Sequence, residues 1–159
     1  MKLHYETKSK LGNGDSSFGF IIRDSQGELV LLGAKRLFKS CSILKAEAWG
    51  MREGIKAALS IGIKNIHIEG DNLSVINSLR KLWKIPWEIH SLVSDADVDL
   101  RRFDRVIINH CFREANGAAD FMAHKGHLCP DLLLSRETQD LALLSIIRKD
   151  ALGWSHERG

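Results

Sequence analysis

The sequence predicts an α/β fold with a five-stranded mixed sheet, three antiparallel strands followed by two parallel ones, flanked by helices. Three observations predict it. A hairpin pattern comes early in the chain, a helical stripe begins at Leu44, and strand and helix patterns then alternate. Helices between later strands are typical of parallel pairing, whereas an early hairpin is typical of antiparallel pairing. With 159 residues, the chain has room for one domain of ordinary size.

The antiparallel half of the sheet is predicted from alternating apolar and polar residues. Residues 3–8 alternate and predict a first strand. Residues 17–24 form an apolar run of strand-favouring residues, the turn signal SQGE follows, and residues 29–32 resume the apolar pattern. Two such runs around a glycine-containing turn indicate a β-hairpin.

The second half of the sequence predicts helices alternating with strands. From Leu44 apolar residues recur at intervals of three and four, which indicates a helix with one buried stripe. The later elements are predicted in the order strand 63–69, helix 73–83, helix within 87–102, strand 105–111 and helix 115–124. We expect residues 1–127 to form the domain and residues 128–159 to form a C-terminal extension with a short docking helix.

Several protein classes are excluded by the composition. No apolar run approaches the ~20 residues that span a bilayer, so we expect no membrane association. The first ten residues lack the apolar stretch of a secretion signal, and we expect a cytoplasmic or nuclear protein, with the two undecided. Three widely spaced cysteines, Cys41, Cys111 and Cys129, fit neither a disulfide framework nor a zinc site. The net charge of +3 is compatible with a nucleic acid partner.

Four carboxylates fall where an α/β sheet exposes functional groups. Glu6 lies on the first strand, Glu47 borders the buried stripe of the first helix, Asp71 ends a strand, and Asp120 lies among apolar residues of a helix. A carboxylate beside a buried stripe is costly unless something pairs with it, and Mg²⁺ prefers oxygen ligands. Two such ions about 4 Å apart can stabilise the attacking and leaving oxygens of a phosphodiester.

Each carboxylate also has a simpler interpretation. Asp71 could cap the following helix, Glu47 could be a solvated residue at the helix edge, and Asp120 could pair with Lys125 or Arg113. Composition and spacing leave these alternatives open.

Four segments in order resemble the type 1 ribonuclease H domain, in its plant retrotransposon-related branch. They correspond to the patterns G-x-x-x-R-D-x-x-G, A-E-x-x-A, E-S-D-S and R-E-x-N-x-x-A-D-x-L-A, and they read FGFIIRDSQGELV, LKAEAWGMREGIKAA, IHIEGDNLSVINSL and NHCFREANGAADFMA. The resemblance extends from about Leu3 to Gly126. It implies a ribonuclease H-like fold and metal-dependent endonucleolytic cleavage of the RNA strand of RNA–DNA hybrids, leaving a 5′ phosphate and a 3′ hydroxyl.

The resemblance also implies roles for individual residues. Glu47, Asp71 and Asp120 match the metal-ligating positions, two Mg²⁺ ions being expected and Mn²⁺ being possible. Asn116 matches the asparagine of R-E-x-N, and we expect it at the nucleic acid. His110 matches a histidine that assists proton transfer or product release, although a structural role is the alternative.

The first strand departs from the family pattern. There the family has an aspartate followed by glycine and a small residue, whereas this sequence has Glu6-Thr7-Lys8. Glutamate keeps the ligand atoms but places them about 1.5 Å further out, and metal sites need ligands held to about 0.5 Å. The rival interpretation is therefore a catalytically impaired module that binds nucleic acid or protein. Asp15 is an alternative first ligand, in a predicted loop.

The expected partner is an RNA–DNA hybrid or another nucleic acid, bound by a monomer. Duplexes of this type are recognised through shape, phosphates and 2′-hydroxyls. Candidate phosphate contacts are Lys35, Arg36 and Lys39, for which a solvated basic face is the alternative. A flavodoxin-type small-molecule domain is a third interpretation, but the glycine-bearing GNGDS segment precedes predicted strands rather than a helix.

Overall fold

The computed structural model describes residues 1–9, 15–37, 41–112 and 116–157, with side chains omitted for residues 9 and 152–157. Its strands are β1 (Lys2–Ser9), β2 (Ser16–Arg23), β3 (Leu29–Leu37), β4 (Asn65–Gly70), β5 (Arg105–His110) and β6 (Leu133–Ser135). Its helices are α1 (Ile43–Ser60), α2 (Leu73–Leu79), α3 (His90–Leu100), α4 (Gly117–Gly126) and α5 (Leu141–Glu157), and a 3₁₀ turn at Trp87–Ile89 precedes α3. Within those ranges no helix combines the length and the apolar character needed to cross a bilayer.

The strands form one mixed sheet in the order β5-β4-β1-β2-β3-β6. β1, β2 and β3 are antiparallel neighbours, while β4 pairs parallel to β1 and β5 parallel to β4. The predicted α/β class and the arrangement of the first five strands are confirmed. The predicted number of strands is wrong by one, because residues 133–135 pair antiparallel with β3. Three residues are too short to show a strand period in the sequence.

Helix α2 is shorter than predicted, and its N-cap is the residue next to Asp71. It ends at Leu79, and Lys81 adopts a left-handed conformation with φ 61°. The Leu82 amide donates to the carbonyl of Asn77, which closes the helix end. At the other end Asn72, rather than Asp71, is the N-cap, because its side chain accepts a hydrogen bond from the Val75 amide.

The two faces of the sheet are covered by different helices. The larger core lies between the sheet and α1, α2 and α3, and it includes Leu3, Tyr5 and Phe18. On the other face α4 and α5 pack over β2 and β3, with Leu143 and Ile147 of α5 buried. The predicted extension, residues 128–159, therefore adds a strand and a helix to the same sheet.

The pairing between β1 and β4 is short, and this opens the site. Residues 2–4 of β1 pair with residues 67–69 of β4, and beyond them β4 ends at Gly70. β1 continues to Ser9 with β2 as its partner. A cleft therefore forms beyond the carboxyl end of β4, which is where α/β sheets place functional groups.

Candidate metal centre

Three carboxylates converge in this cleft. One oxygen each of Glu6, Glu47 and Asp71 can be chosen so that all three lie within 4.8 Å of one another. Glu6 and Glu47 are buried, whereas Asp71 is partly exposed. The three residues come from β1, from α1 and from the segment after β4, so only the folded chain brings them together.

Helix α1 lies very close to β1 and β2, and Glu47 is on the buried side of this helix. A Cβ atom placed on Gly50, one turn further along α1, would lie 3.2 Å from the Phe18 Cβ and 3.7 Å from the Glu6 carbonyl oxygen. The helix begins at Ser42, whose hydroxyl accepts a hydrogen bond from the Lys45 amide. The Glu47 residue is 2% exposed, so the interpretation as a solvated helix-edge residue is wrong.

Asp71 is oriented from two sides. Because Asn72 caps α2, the Asp71 carboxylate is not used as the helix cap, and that interpretation is also wrong. The His110 Nε2–H donates to the Asp71 backbone carbonyl over 3.0 Å. His110 ends β5 and lies beside Gly70 in the parallel register. Its ring therefore supports the backbone that carries Asp71, and its predicted role in proton transfer stays a prediction.

The carboxylate of Glu6 is held by two donors. Its Oε1 accepts from the Thr7 amide over 3.0 Å, and its Oε2 accepts from the Asn116 Nδ2 over 3.2 Å. The same Asn116 nitrogen donates to the Tyr5 carbonyl over 2.8 Å. Asn116 is 0% exposed. We expected Asn116 at the nucleic acid, whereas the structure places it beneath the site as a positioning residue.

Asp120 lies beside the three converging carboxylates rather than among them. Its Oδ1 is 2.8 Å from the Lys8 Nζ, and its side chain is 37% exposed. Of the two partners suggested by the sequence, Lys125 pairs with Asp140 instead, and Arg113 lies outside the described residues. Lys8 is a residue of this site that the sequence reasoning missed, although strand alternation puts it on the same face as Glu6.

The pKa values of two side chains near the site, Tyr5 and Cys111, are raised. Burial, together with the charges of Glu47, Asp71 and Glu6, raises the pKa of Tyr5 well above 10. Burial and the charges of Glu69, Asp71 and Glu6 raise the pKa of Cys111 to about 12. Both groups therefore stay protonated at neutral pH.

The basic residues predicted to contact phosphates lie away from the three carboxylates. Lys35 and Arg36 are on β3, two strands from β1, which is about 10 Å at the ordinary spacing between strands. Arg36 forms an ion pair with Asp15, which precedes β2. Asp15 is thus engaged elsewhere than in the group of three carboxylates, and Lys39 lies outside the described residues.

The donor set fits a divalent cation. The cleft has a volume of about 420 Å³, and its walls include Lys8, Ile43 and Asn72 besides the three carboxylates. Two of the three carboxylates are buried, and burying a charged group is costly unless other groups or a cation compensate it. Carboxylate oxygens are the ligands that Mg²⁺ and Mn²⁺ prefer. Glu6, Glu47 and Asp71 therefore fit the predicted metal.

Comparison with known proteins agrees with this architecture. Residues 5–126 match the sequence model of the reverse transcriptase-like family. An Arabidopsis thaliana protein named as a ribonuclease H protein is 27% identical over 161 residues, covering 99% of this chain and 25% of that protein. The chain thus spans about a quarter of the length of this curated relative.

Solved structures share the fold. RNase H1 of the archaeon Halobacterium salinarum has a TM-score of 0.72 at 22% identity, covering 79% of this chain and 95% of that chain. LC11-RNase H1, solved in complex with an RNA/DNA hybrid, has a TM-score of 0.68 at 15% identity, covering 78% and 94%. The predicted family is confirmed: the chain belongs to the reverse transcriptase-like family, and its domain has the ribonuclease H-like fold.

Proposed function

We propose that this domain is a divalent-cation-dependent endonuclease that hydrolyses the RNA strand of RNA–DNA hybrids. The observation that carries the proposal is the convergence of three carboxylates, two of them buried, in an open cleft. Its substrate is suggested by two relatives, the protein named as a ribonuclease H protein and LC11-RNase H1 with its bound hybrid. The products would be a 5′ phosphate and a 3′ hydroxyl.

The chain's own residues have two tasks in this proposal. Glu6, Glu47 and Asp71 would hold the cation, Mg²⁺ or Mn²⁺, which when bound supplies the Lewis acid for phosphodiester hydrolysis. Asn116 and the Thr7 amide hold the Glu6 carboxylate in one orientation, so that it does not have to be ordered when a cation arrives.

The complete proposal uses two ions, with Asp120 as the fourth ligand. Asp120 and Asn116 are four residues apart on the helical segment that faces β1, and Asn116 touches Glu6. The ion pair of Asp120 with Lys8, a residue of the cleft wall, supports this position for the fourth ligand. We also propose His110, beside Asp71, as the group that moves a proton.

The proposed partner is a hybrid duplex bound by a single copy of the chain. Lys35 and Arg36 on β3, together with Lys39, which lies outside the described residues, are the proposed phosphate contacts. Contacts of this kind would make binding strongly dependent on salt.

A second candidate function is a module that binds nucleic acid or protein without cleaving it. The ion pair between Lys8 and Asp120 favours it, because it engages the proposed fourth ligand. In this alternative the acidic cleft is inherited from a catalytic ancestor.

The deciding experiment is cleavage of an end-labelled RNA–DNA hybrid in Mg²⁺ or Mn²⁺, with Asp71→Asn as the control variant. The proposal expects cleavage by the parent chain and loss of cleavage in the control. Cleavage that persists in Asp71→Asn would show that the activity does not come from the proposed site but from a contaminating nuclease.

The variant Glu6→Asp separates the two candidate functions. Cleavage that is absent in the parent but present in Glu6→Asp would identify an intact fold whose longer side chain prevents catalysis. Hybrid binding that survives in EDTA in both proteins would then support the binding module. No cleavage in any of the three proteins would overturn the enzyme proposal.

A further inference from the structure

Two polar contacts connect β1 to α4 and its N-cap, and they differ in chemistry. Asn116 Nδ2 donates to the Glu6 carboxylate over 3.2 Å, and Lys8 Nζ pairs with the Asp120 carboxylate over 2.8 Å. Glu6 and Lys8 are alternate residues of one strand, and Asn116 and Asp120 are one helical turn apart. The first contact presents a carboxylate to the cleft, whereas the second neutralises one.

The position of Lys8 makes it part of the carboxylate site. Alternate residues of a strand point to the same face and are about 6.6–6.8 Å apart along it. Lys8 also lines the same cleft as Glu6, Glu47 and Asp71. The Lys8 ammonium group therefore places a positive charge from β1 at that cleft.

The strength of the docking between α4 and the sheet means that Asp120 cannot easily move away from β1. A Cβ atom on Gly19, the β2 partner of Glu6, would lie 2.2 Å from the Ala123 nitrogen. Backbone contact this close fixes α4 against the sheet. Lys8, in contrast, has a flexible side chain that is 30% exposed. Of the two partners, Lys8 is the one that can leave.

We infer that Lys8 competes with the second divalent cation for Asp120, so that the site binds one ion tightly and the second only when the Lys8 ammonium is displaced. The inference rests on the proposed function, because it concerns the number of ions in the same site. The first ion takes Glu6, Glu47 and Asp71. The ion pair of Lys8 described above is with Asp120. The second ion needs Asp120, and it meets a positive charge there.

The test is Mn²⁺ titration of the full chain, without nucleic acid, followed by electron paramagnetic resonance and by calorimetry. The variants are Lys8→Gln, which removes the charge, and Lys8→Arg, which keeps it. The matched control is Lys2→Gln, on the same strand, where Lys2 pairs with Glu69 over 3.0 Å. Thermal unfolding of each variant establishes that it is folded.

We expect the parent chain to bind a first Mn²⁺ at least tenfold more tightly than a second. Lys8→Gln should raise the affinity for the second ion at least tenfold and change the affinity for the first by less than about threefold. Lys8→Arg and Lys2→Gln should have the affinities of the parent chain. A change of tenfold corresponds to 1.4 kcal/mol, well within what one nearby charge contributes at a partly buried site.

The outcomes distinguish this inference from the proposed function. Two ions of equal affinity in the parent chain, or a second ion unaffected by Lys8→Gln, would overturn the competition while leaving a metal site in place. A parent chain that binds no Mn²⁺ would overturn the proposed function and the inference together. Equal gains in Lys8→Gln and Lys2→Gln would show a general charge effect and would also overturn the competition.

Discussion

The two halves of β1 carry polar clusters of opposite balance. In the first half one carboxylate, Glu69 of β4, lies among Lys2, His4 and His67, with nitrogen–oxygen distances of 3.0, 3.1 and 3.3 Å. In the second half three carboxylates converge, and the nearby lysine pairs with a fourth. In the first cluster basic groups surround one carboxylate, whereas in the second the described part of the chain brings three carboxylates together.

The pKa values of the neighbouring groups express this difference. Burial alone would raise the pKa of Glu69, but hydrogen bonds and charges from His4 and Lys2 outweigh it and lower the pKa to about 2. Near the other cluster burial is the main cause that raises the pKa values of Tyr5 and Cys111, and carboxylate charges raise them further, with Glu69 the first of these for Cys111. The cluster in which carboxylates converge is the candidate metal site, because Mg²⁺ and Mn²⁺ prefer carboxylate oxygens.

The largest expected effect comes from removing one carboxylate from each cluster. Glu47→Gln should lower the affinity for the first Mn²⁺ by more than ~100-fold. It removes a proposed ligand, whereas loss of a residue that hydrogen-bonds a ligand costs up to ~100-fold. Calorimetric Mn²⁺ titration measures this effect, and thermal unfolding in EDTA establishes that the variant is folded.

Glu69→Gln is the matched substitution in the first cluster. It should lower the thermal midpoint and leave Mn²⁺ affinity unchanged, because Glu69 is paired with basic groups and is not one of the three converging carboxylates. Equal loss of Mn²⁺ affinity in both variants would remove the distinction between the two clusters.

A smaller effect is expected from the asparagine that supports Glu6. Asn116→Ala should weaken Mn²⁺ binding about 10–100-fold, as expected when a hydrogen bond to a metal ligand is lost. It should also lower the free energy of unfolding by about 1–3 kcal/mol, since the Tyr5 carbonyl and the Glu6 carboxylate lose a buried donor. The measurements are Mn²⁺ titration and denaturant unfolding.

Asn109→Ala is the control for that substitution. The Asn109 amide contacts His67 over 3.0 Å in the first cluster, and Asn109 is exposed. Both Mn²⁺ affinity and stability should change little. Wild-type Mn²⁺ affinity in Asn116→Ala would show that Glu6 needs no support from Asn116.

A further effect is the dependence of stability on acid pH. The pKa of Glu69 is lower in the folded chain than its ordinary 4.5, so its contribution is complete above pH 4.5 and is lost as the pH falls towards 2. Burial lowers the pKa of His4 below 6.5, so the folded state binds this proton less readily and also loses stability on acidification, beginning near pH 6.5.

Thermal midpoints measured between pH 2 and pH 7 test this expectation. The parent chain should lose stability steadily on acidification, and Glu69→Gln should have a flatter profile between pH 4.5 and pH 2. Identical slopes in that interval would show that Glu69 is not held ionised by its neighbours.

Local patterns in the sequence were sufficient to predict the architecture but not the end of α2 or the last strand. Periods of two and of 3.6 residues identified five strands and the major helices, because those periods follow from which side of an element is buried. The end of α2 was not predictable, since it depends on the left-handed conformation of Lys81. β6 was not predictable either, since a strand of three residues is specified by its pairing with β3.

By itself the sequence determined the α/β class, the family resemblance and the candidate ligands Glu6, Glu47 and Asp71. Only the tertiary structure decided the pairing of charges. It brought three carboxylates to one cleft, turned Asn116 inward to Glu6 and set Lys8 against Asp120. The physical reason is that alternation along a strand or helix specifies the face on which a side chain lies, whereas its partner there depends on how closely another element docks.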